Sequence, residues 1–196
     1  MKRQPTAIRR EQIKKAVLEI LSTEGLHQVS TRALAKKVGL SEGALFRHFT
    51  SKKAIMVAIM EDIQNDLIAD LERIAHKQTS APERLNEFLC AHVSYLIKNK
   101  GITILLFSEA THLNDNELKN YLHTTLNKQR EFISQILHDG IKEGLWSPEL
   151  NVENVAHLYL GIPITYNIEM VLNPKNFVAD DFCKNMLCLL NRVLKK

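Results

Sequence analysis

The chain has 196 residues, with 26 Lys and Arg against 22 Asp and Glu, a net charge of +4 and 45% hydrophobic residues; this is the composition of a folded globular protein, not of a disordered or collagen-like one. It has no run of 18 apolar residues, and its start, MKRQPTAIRR, lacks the apolar stretch of a secretory signal, so a cytoplasmic protein without a membrane span is expected. The three cysteines, Cys90, Cys183 and Cys188, are odd in number and lack Cys-x-x-Cys spacing, which argues for small core residues and against a disulfide framework or a zinc site.

The modest total charge conceals an asymmetry. Residues 1–55 carry 12 Lys and Arg and 4 Asp and Glu, a balance of +8, whereas residues 56–196 carry 14 and 18, a balance of −4. A basic head on a mildly acidic body is the electrostatic footprint of a polyanion binder, the alternative being a lysine-rich solvated face.

Hydrophobic spacing predicts helices throughout and no strand. The first helix spans about 6–24, with Ile13, Val17, Ile20 and Leu21 on one face and Gly25 as its stop. A short helix over about 31–37 follows, then a turn at Val38-Gly39-Leu40, and a second short helix that begins after the cap Ser41 and ends near His48. Ser51 caps a fourth helix to about 76. Ser80 and Glu83 form a capping box, with Pro82 beside them, for a fifth to about 99. A sixth covers about 102–112, and Asn114 or Asp115 caps a seventh that runs to Glu143. Asn151 caps an eighth to about Leu172, interrupted by Pro163, and the ninth covers about 179–194. Trp146 follows a helix-ending glycine and reads as a packing plug more readily than as a ligand stack.

The segment from Thr31 to Phe49 is the most informative. Two helices of about seven residues cannot stand alone, so Leu34, Val38, Leu40, Leu45 and Phe49 must turn inward while Gly39 supplies a positive φ at the turn. Ser41, Glu42, Gly43, Ala44, Phe46, Arg47 and His48 are left on the outer face of the second helix. A face that is small at its start and basic at its end suits entry into a major groove, with Thr31, Arg32, Lys52 and Lys53 as phosphate anchors on the flanks. An ordinary αα-hairpin inside a bundle is the competing reading.

The run from Thr31 to Ala54, ending His48-Phe-Thr-Ser-Lys-Lys-Ala54, resembles the DNA-binding signature of the tetracycline-repressor (TetR) family, over about residues 8–56. The resemblance implies an all-α, nine-helix, two-domain fold: residues 1–53 as a helix-turn-helix domain and 54–196 as a ligand-sensing and dimerisation domain. It implies that Thr31 and Arg32 hold phosphates, that Ser41 to Ala44 face bases, and that Phe46, His48 and Lys52 clamp the backbone. Phe46 stands where the family commonly has Tyr, so a phenolic hydrogen bond to phosphate is missing.

The same resemblance implies a homodimer on a palindromic double-stranded operator, released when an unknown small molecule enters the body. The dimer face is expected on the last two helices, at Tyr159, Pro163, Phe182, Met186, Leu189, Leu190 and Val193. The ligand pocket is expected among helices four to eight, lined by Phe88, His92, Phe107, His112, Gln129, Tyr166 and Met170. No nucleophile elbow, phosphate loop or His-x-x-x-His pair is present, so no enzyme activity, cofactor or metal is expected. The alternatives are a DNA-binding protein of this fold controlled by a protein partner, and a helical-bundle enzyme or scaffold.

Overall fold

A computed structural model describes residues 4–112, 114–173 and 179–195. These form nine helices and no strand. They are α1 (Thr6–Glu24), α2 (Thr31–Lys37), α3 (Glu42–Leu45), α4, α5 (Ala81–Lys98), α6 (Ile102–His112), α7 (Asn116–Lys142), α8 (Val152–Leu172) and α9 (Ala179–Leu194). Helix α4 starts as Lys52–Ile63, widens into a π-helical turn at Gln64–Ile68 and continues as Ala69–Ala75.

The helix ends follow side-chain chemistry. Ser30, Ser41 and Ser51 each accept a hydrogen bond from the backbone N–H three residues on, which satisfies a donor that a helix start leaves open. Of the two residues expected to cap α7, Asp115 does so, accepting from Glu117 and Leu118 at 3.0 and 3.1 Å. Asn114 takes the left-handed conformation before it, with φ 50°. Two differences from expectation are local. The second short helix, α3, is a single α-helical turn that relaxes into a tighter turn over residues 46–48, and a short 3-10 turn, Leu26–Gln28, joins α1 to α2. Helix α8 runs through Pro163.

In the head, α1 packs on α2 and α4, and α2 packs on α3. Ile13, Val17, Ile20, Leu34, Leu45, Phe49 and Ile55 are all buried in the shared core. In the body, α5 lies against the end of α4, α7, α8 and α9. Its buried Arg84 acts as a clamp, donating to the Ala75 carbonyl at 2.7 Å and to Asp139 Oδ2 at 2.8 Å. Partial burial would push the Asp139 carboxyl up, but the hydrogen bonds from Arg84 and Gln135 outweigh it and hold the group below its ordinary value.

The loop after α7 returns across its own helix. Trp146 is buried with its ring over Gly140, where an added Cβ would meet ring carbon Cε3 at 2.1 Å. Trp146 is thus a plug, and Gly140 is what lets it seat. Gly140→Ala is expected to destabilise the protein by about 1–3 kcal/mol through overpacking, whereas Gly43→Ala, whose Cβ meets nothing within 4 Å, should not. Urea unfolding midpoints check this; a Gly140→Ala midpoint equal to wild type would mean that the ring does not rest on α7.

Candidate functional site

The turn between α2 and α3 is built by backbone hydrogen bonds. Leu40 N–H donates to Ala35 at 2.8 Å and Gly39 N–H to Lys36 at 3.2 Å, the paired closure that a left-handed glycine permits at a helix end; Gly39 has φ +66°. Leu34, Ala35 and Leu45 face the core. Ser41, Glu42, Gly43, Phe46 and Arg47 are exposed on one side of the head, while Ala44 and His48 are half-buried. Gly43 meets open space, so a flat surface can approach the α3 backbone closely.

Two arginines that sequence reasoning passed over hold this unit in place. Arg9, buried on α1, donates to the Val38 carbonyl at 3.2 Å. Arg10 donates to the His48 carbonyl at 3.1 Å and lies 4.2 Å from the Phe49 ring centroid. In sequence they look like any solvated cations of a basic helix.

The expected phosphate anchors divide into two groups. Arg32 is exposed and, among the described residues, takes part in no ion pair, and the same holds for Arg47, expected on the outer face of the second short helix. Lys52, by contrast, bonds Glu109 of α6 at 2.7 Å, and Lys53 bonds Asp115 and Glu117 at 2.8 and 2.7 Å. The Asp115 and Glu117 hydrogen bonds raise Lys53 above the ordinary lysine value, and the Lys53 bond lowers Asp115. Thr31 is also engaged, donating from Oγ1 to Glu42 Oε1 at 2.8 Å. The start of α4 is therefore fastened to the body by ion pairs.

In the body, Phe88, His92, Gln129, Tyr166 and Met170 are buried, as an interior site requires. Phe107, at 63% exposure, and His112 are corrections: both lie on the outer side of α6 and cannot line an interior pocket. The interior instead includes Tyr159, whose ring stands 5.5 Å from Phe88 and 6.5 Å from His92. His92 Nδ1, the Tyr159 hydroxyl and both amide atoms of Asn167 are buried and, among the described residues, have no hydrogen-bond partner. Burial lowers His92 to about 4, so its ring is neutral at pH 7.

The expected dimer stripe also needs correction at three positions. Tyr159, Pro163 and Leu190 turn into the protomer's own core, Tyr159 retaining only 1% exposure. Helical phase explains the shift, because the outward face of α8 runs instead through Leu158, Gly161, Ile164, Ile168 and Leu172, and these apolar residues are exposed. On α9, Leu189 and Val193 are exposed, with Phe182 and Met186 half-buried beside them.

Among the described residues no helix is long and apolar enough to cross a membrane, and no group of three His, Cys, Asp or Glu side chains is placed to hold a metal ion. A capped helix-turn-helix with an open glycine, braced on a helical body by a shared α4, defines a DNA-binding transcriptional regulator. Residues 13–59 match the bacterial regulatory proteins of the tetR family, and residues 60–192 match the YsiA-like protein C-terminal region. The chain belongs to the tetR family. It is 31% identical over 176 residues to the nucleoid occlusion factor SlmA of Vibrio campbellii, covering 89% of this chain and 86% of that protein. In fold it is similar to the ketosteroid transcriptional regulator KstR2 of Mycobacterium tuberculosis, with TM-score 0.80, 21% identity and coverage of 96% and 95%. It is also similar to the transcriptional regulator FadR of Bacillus subtilis, solved in complex with stearoyl-CoA, with TM-score 0.71, 22% identity and coverage of 92% and 96%.

Two measurements follow from this geometry. Arg32→Ala should weaken binding to every duplex and reduce the slope of log K against log salt by about 1, one counterion contact; an unchanged slope removes Arg32 from the phosphate set. His92 has a lower pKa folded than unfolded, so protons favour the unfolded chain. Stability should therefore fall as pH drops from 6.5 towards about 4, by at most about 1.4 kcal/mol per pH unit from this group. His92→Gln should flatten that part of the curve in denaturation scans, and parallel wild-type and variant curves would show that His92 does not titrate as a buried group.

Proposed function

We propose that the protein is a homodimeric repressor acting in the cytoplasm, which reads a palindromic operator with α3 and is released when a small molecule enters the body. In this reading residues 1–53 are the DNA-binding domain and 54–196 the sensing and dimerising one. Gly43 and Ala44, with Ser41 and Glu42 beside them, approach base edges, while Arg32 and Arg47 hold phosphates, joined by Thr31, Phe46, His48, Lys52 and Lys53 around the same surface.

The observation that carries the ligand half is the set of orphaned polar atoms on His92, Tyr159 and Asn167. An unpaired buried polar group costs roughly 1–3 kcal/mol, and a bound molecule that supplied partners would recover that cost. The stearoyl-CoA complex of FadR and the ketosteroid regulator KstR2 support a bulky, largely apolar ligand with polar groups. The exposed apolar residues of α8 and α9, above all Leu158, Ile168, Leu189 and Val193, suit the two-fold face. A second reading, control by a protein partner, draws on the higher identity to a nucleoid occlusion factor, named for the nucleoid rather than for a small molecule.

Selection from a random duplex library tests the DNA half. The wild type should enrich a palindrome with half-sites about 34 Å apart, one helical turn or a little more. Gly43→Glu should enrich nothing yet sediment as a dimer; a surviving site would show that α3 is not the reading element. Ile168→Asp with Leu189→Asp should give monomers in sedimentation, and a persistent dimer would move the interface elsewhere.

A further inference from the structure

All three cysteines of the chain meet at one groove. It lies between α5 and α9, has a volume of about 670 Å³, and is walled by Cys90 and Asn86 on one side and by Cys183, Lys184, Cys188 and Arg192 on the other. That volume falls within the roughly 300–1,000 Å³ of small-molecule sites. Lys184, Arg192 and Lys195 all line it, and the described lining contains no carboxylate. Among the described residues none of these three cations takes part in an ion pair.

The three thiols are not equivalent. Cys183 is buried at the base of α9, and Cys90 is half-buried, with its Sγ 3.6 Å from Asn86 Oδ1. Cys188 is exposed. Lys184 stands four residues before it and Arg192 four after, so all three share one face of α9. The exposed apolar residues Leu189 and Val193 occupy a different face of α9 and do not line the groove.

We infer that Cys188 is a modification site for small anionic disulfides, which the groove cations draw in through carboxylates on the reagent. The step is thiol–disulfide exchange. The Cys188 sulfur forms a bond to one sulfur of the incoming disulfide, the reagent's own S–S bond breaks, and the departing half leaves as a thiol carrying the Cys188 proton. No other oxidant is needed. The inference stands apart from the DNA-binding reading, since its readout is the adduct itself.

The full-length protein is treated with oxidised glutathione, a polycarboxylate disulfide, and in parallel with neutral 2-hydroxyethyl disulfide, and the adducts are followed by intact mass and peptide mapping. Cys188 should react faster than Cys90 with both reagents. Its preference for the anionic one should be roughly tenfold, within the range of electrostatic focusing, and should decline with added salt. Lys184→Gln with Arg192→Gln should remove that preference, measured as the ratio of the two rates, which cancels any change in the reactivity of the thiol itself. Two results would overturn the site: Cys188 reacting no faster than Cys90, or a reagent preference that is absent or survives the double charge variant, which would leave exposure alone as the cause.

Discussion

Everything in this molecule turns on α4, which runs through one continuous core from the packing of α1 at its start to that of α5 and α7 at its end. Its first half buries Ile55, Met56, Ile59 and Met60, and its second half buries Leu67, Ile68, Leu71 and Ile74. The first half is held by α1, where Lys14 bonds Asp62. Burial alone would lower Lys14, yet its hydrogen bonds to Asp62 and Glu11 raise it above the ordinary lysine value. The second half is locked under α5 and α7 by Arg84. Because packed interiors respond to displacement as nearly rigid bodies, a shift of the body's end of α4 must be carried to Lys52 or absorbed on the way. The π-helical turn at Gln64–Ile68 is where the backbone departs from the α-helical ladder, and Gln64 there bonds Thr125 and Lys128 of α7.

The ion pairs at the start of α4 matter because the same lysines suit phosphate. Lys52 and Lys53 answer to carboxylates on α6 and α7, so a phosphate at either position must displace Glu109, or Asp115 and Glu117. The Lys53–Glu117 pair, on an exposed carboxylate, is worth only about 0–1 kcal/mol and weakens with salt, whereas the half-buried Glu109 and Asp115 pairs are screened less and cost more to displace. The charge asymmetry between head and body is thus partly spent in attaching them to each other. Among the described residues on the exposed side of the helix-turn-helix, Arg32 and Arg47 take part in no ion pair.

Much of this was legible in the sequence, for reasons that differ by element. The helix count and most ends could be read because serine caps, Gly39 and the Ser80–Glu83 box act within a few residues of where they stand. The outer face of α3 was legible because one helical turn offers few ways to divide inside from outside. Of the expected dimer stripe, Tyr159 and Pro163 on α8 and Leu190 on α9 are buried in the protomer's own core. Tyr159 and Pro163 belong to an almost uniformly apolar helix, whose periodicity does not say which apolar face meets its own core. Phe107 failed similarly, since an aromatic on a short apolar helix reads as buried until the neighbours are placed. Arg9, Arg10 and Gly140 carried no local signal, because each acts on a partner that only the fold brings near.

The body's interior sets the remaining constraint. A helical core stabilised only by apolar packing gains nothing from the polar atoms of Tyr159, His92 and Asn167 that are buried without partners among the described residues. Phenylalanine or leucine there would spare the desolvation cost that pushes the Tyr159 hydroxyl well above its ordinary value and holds His92 neutral. The helices that carry these polar groups, α5 and α8, are the ones against which α7 and α9 pack. The least satisfied part of the core therefore lies where a change in occupancy would be felt by both the end of α4 and the outward face of α8.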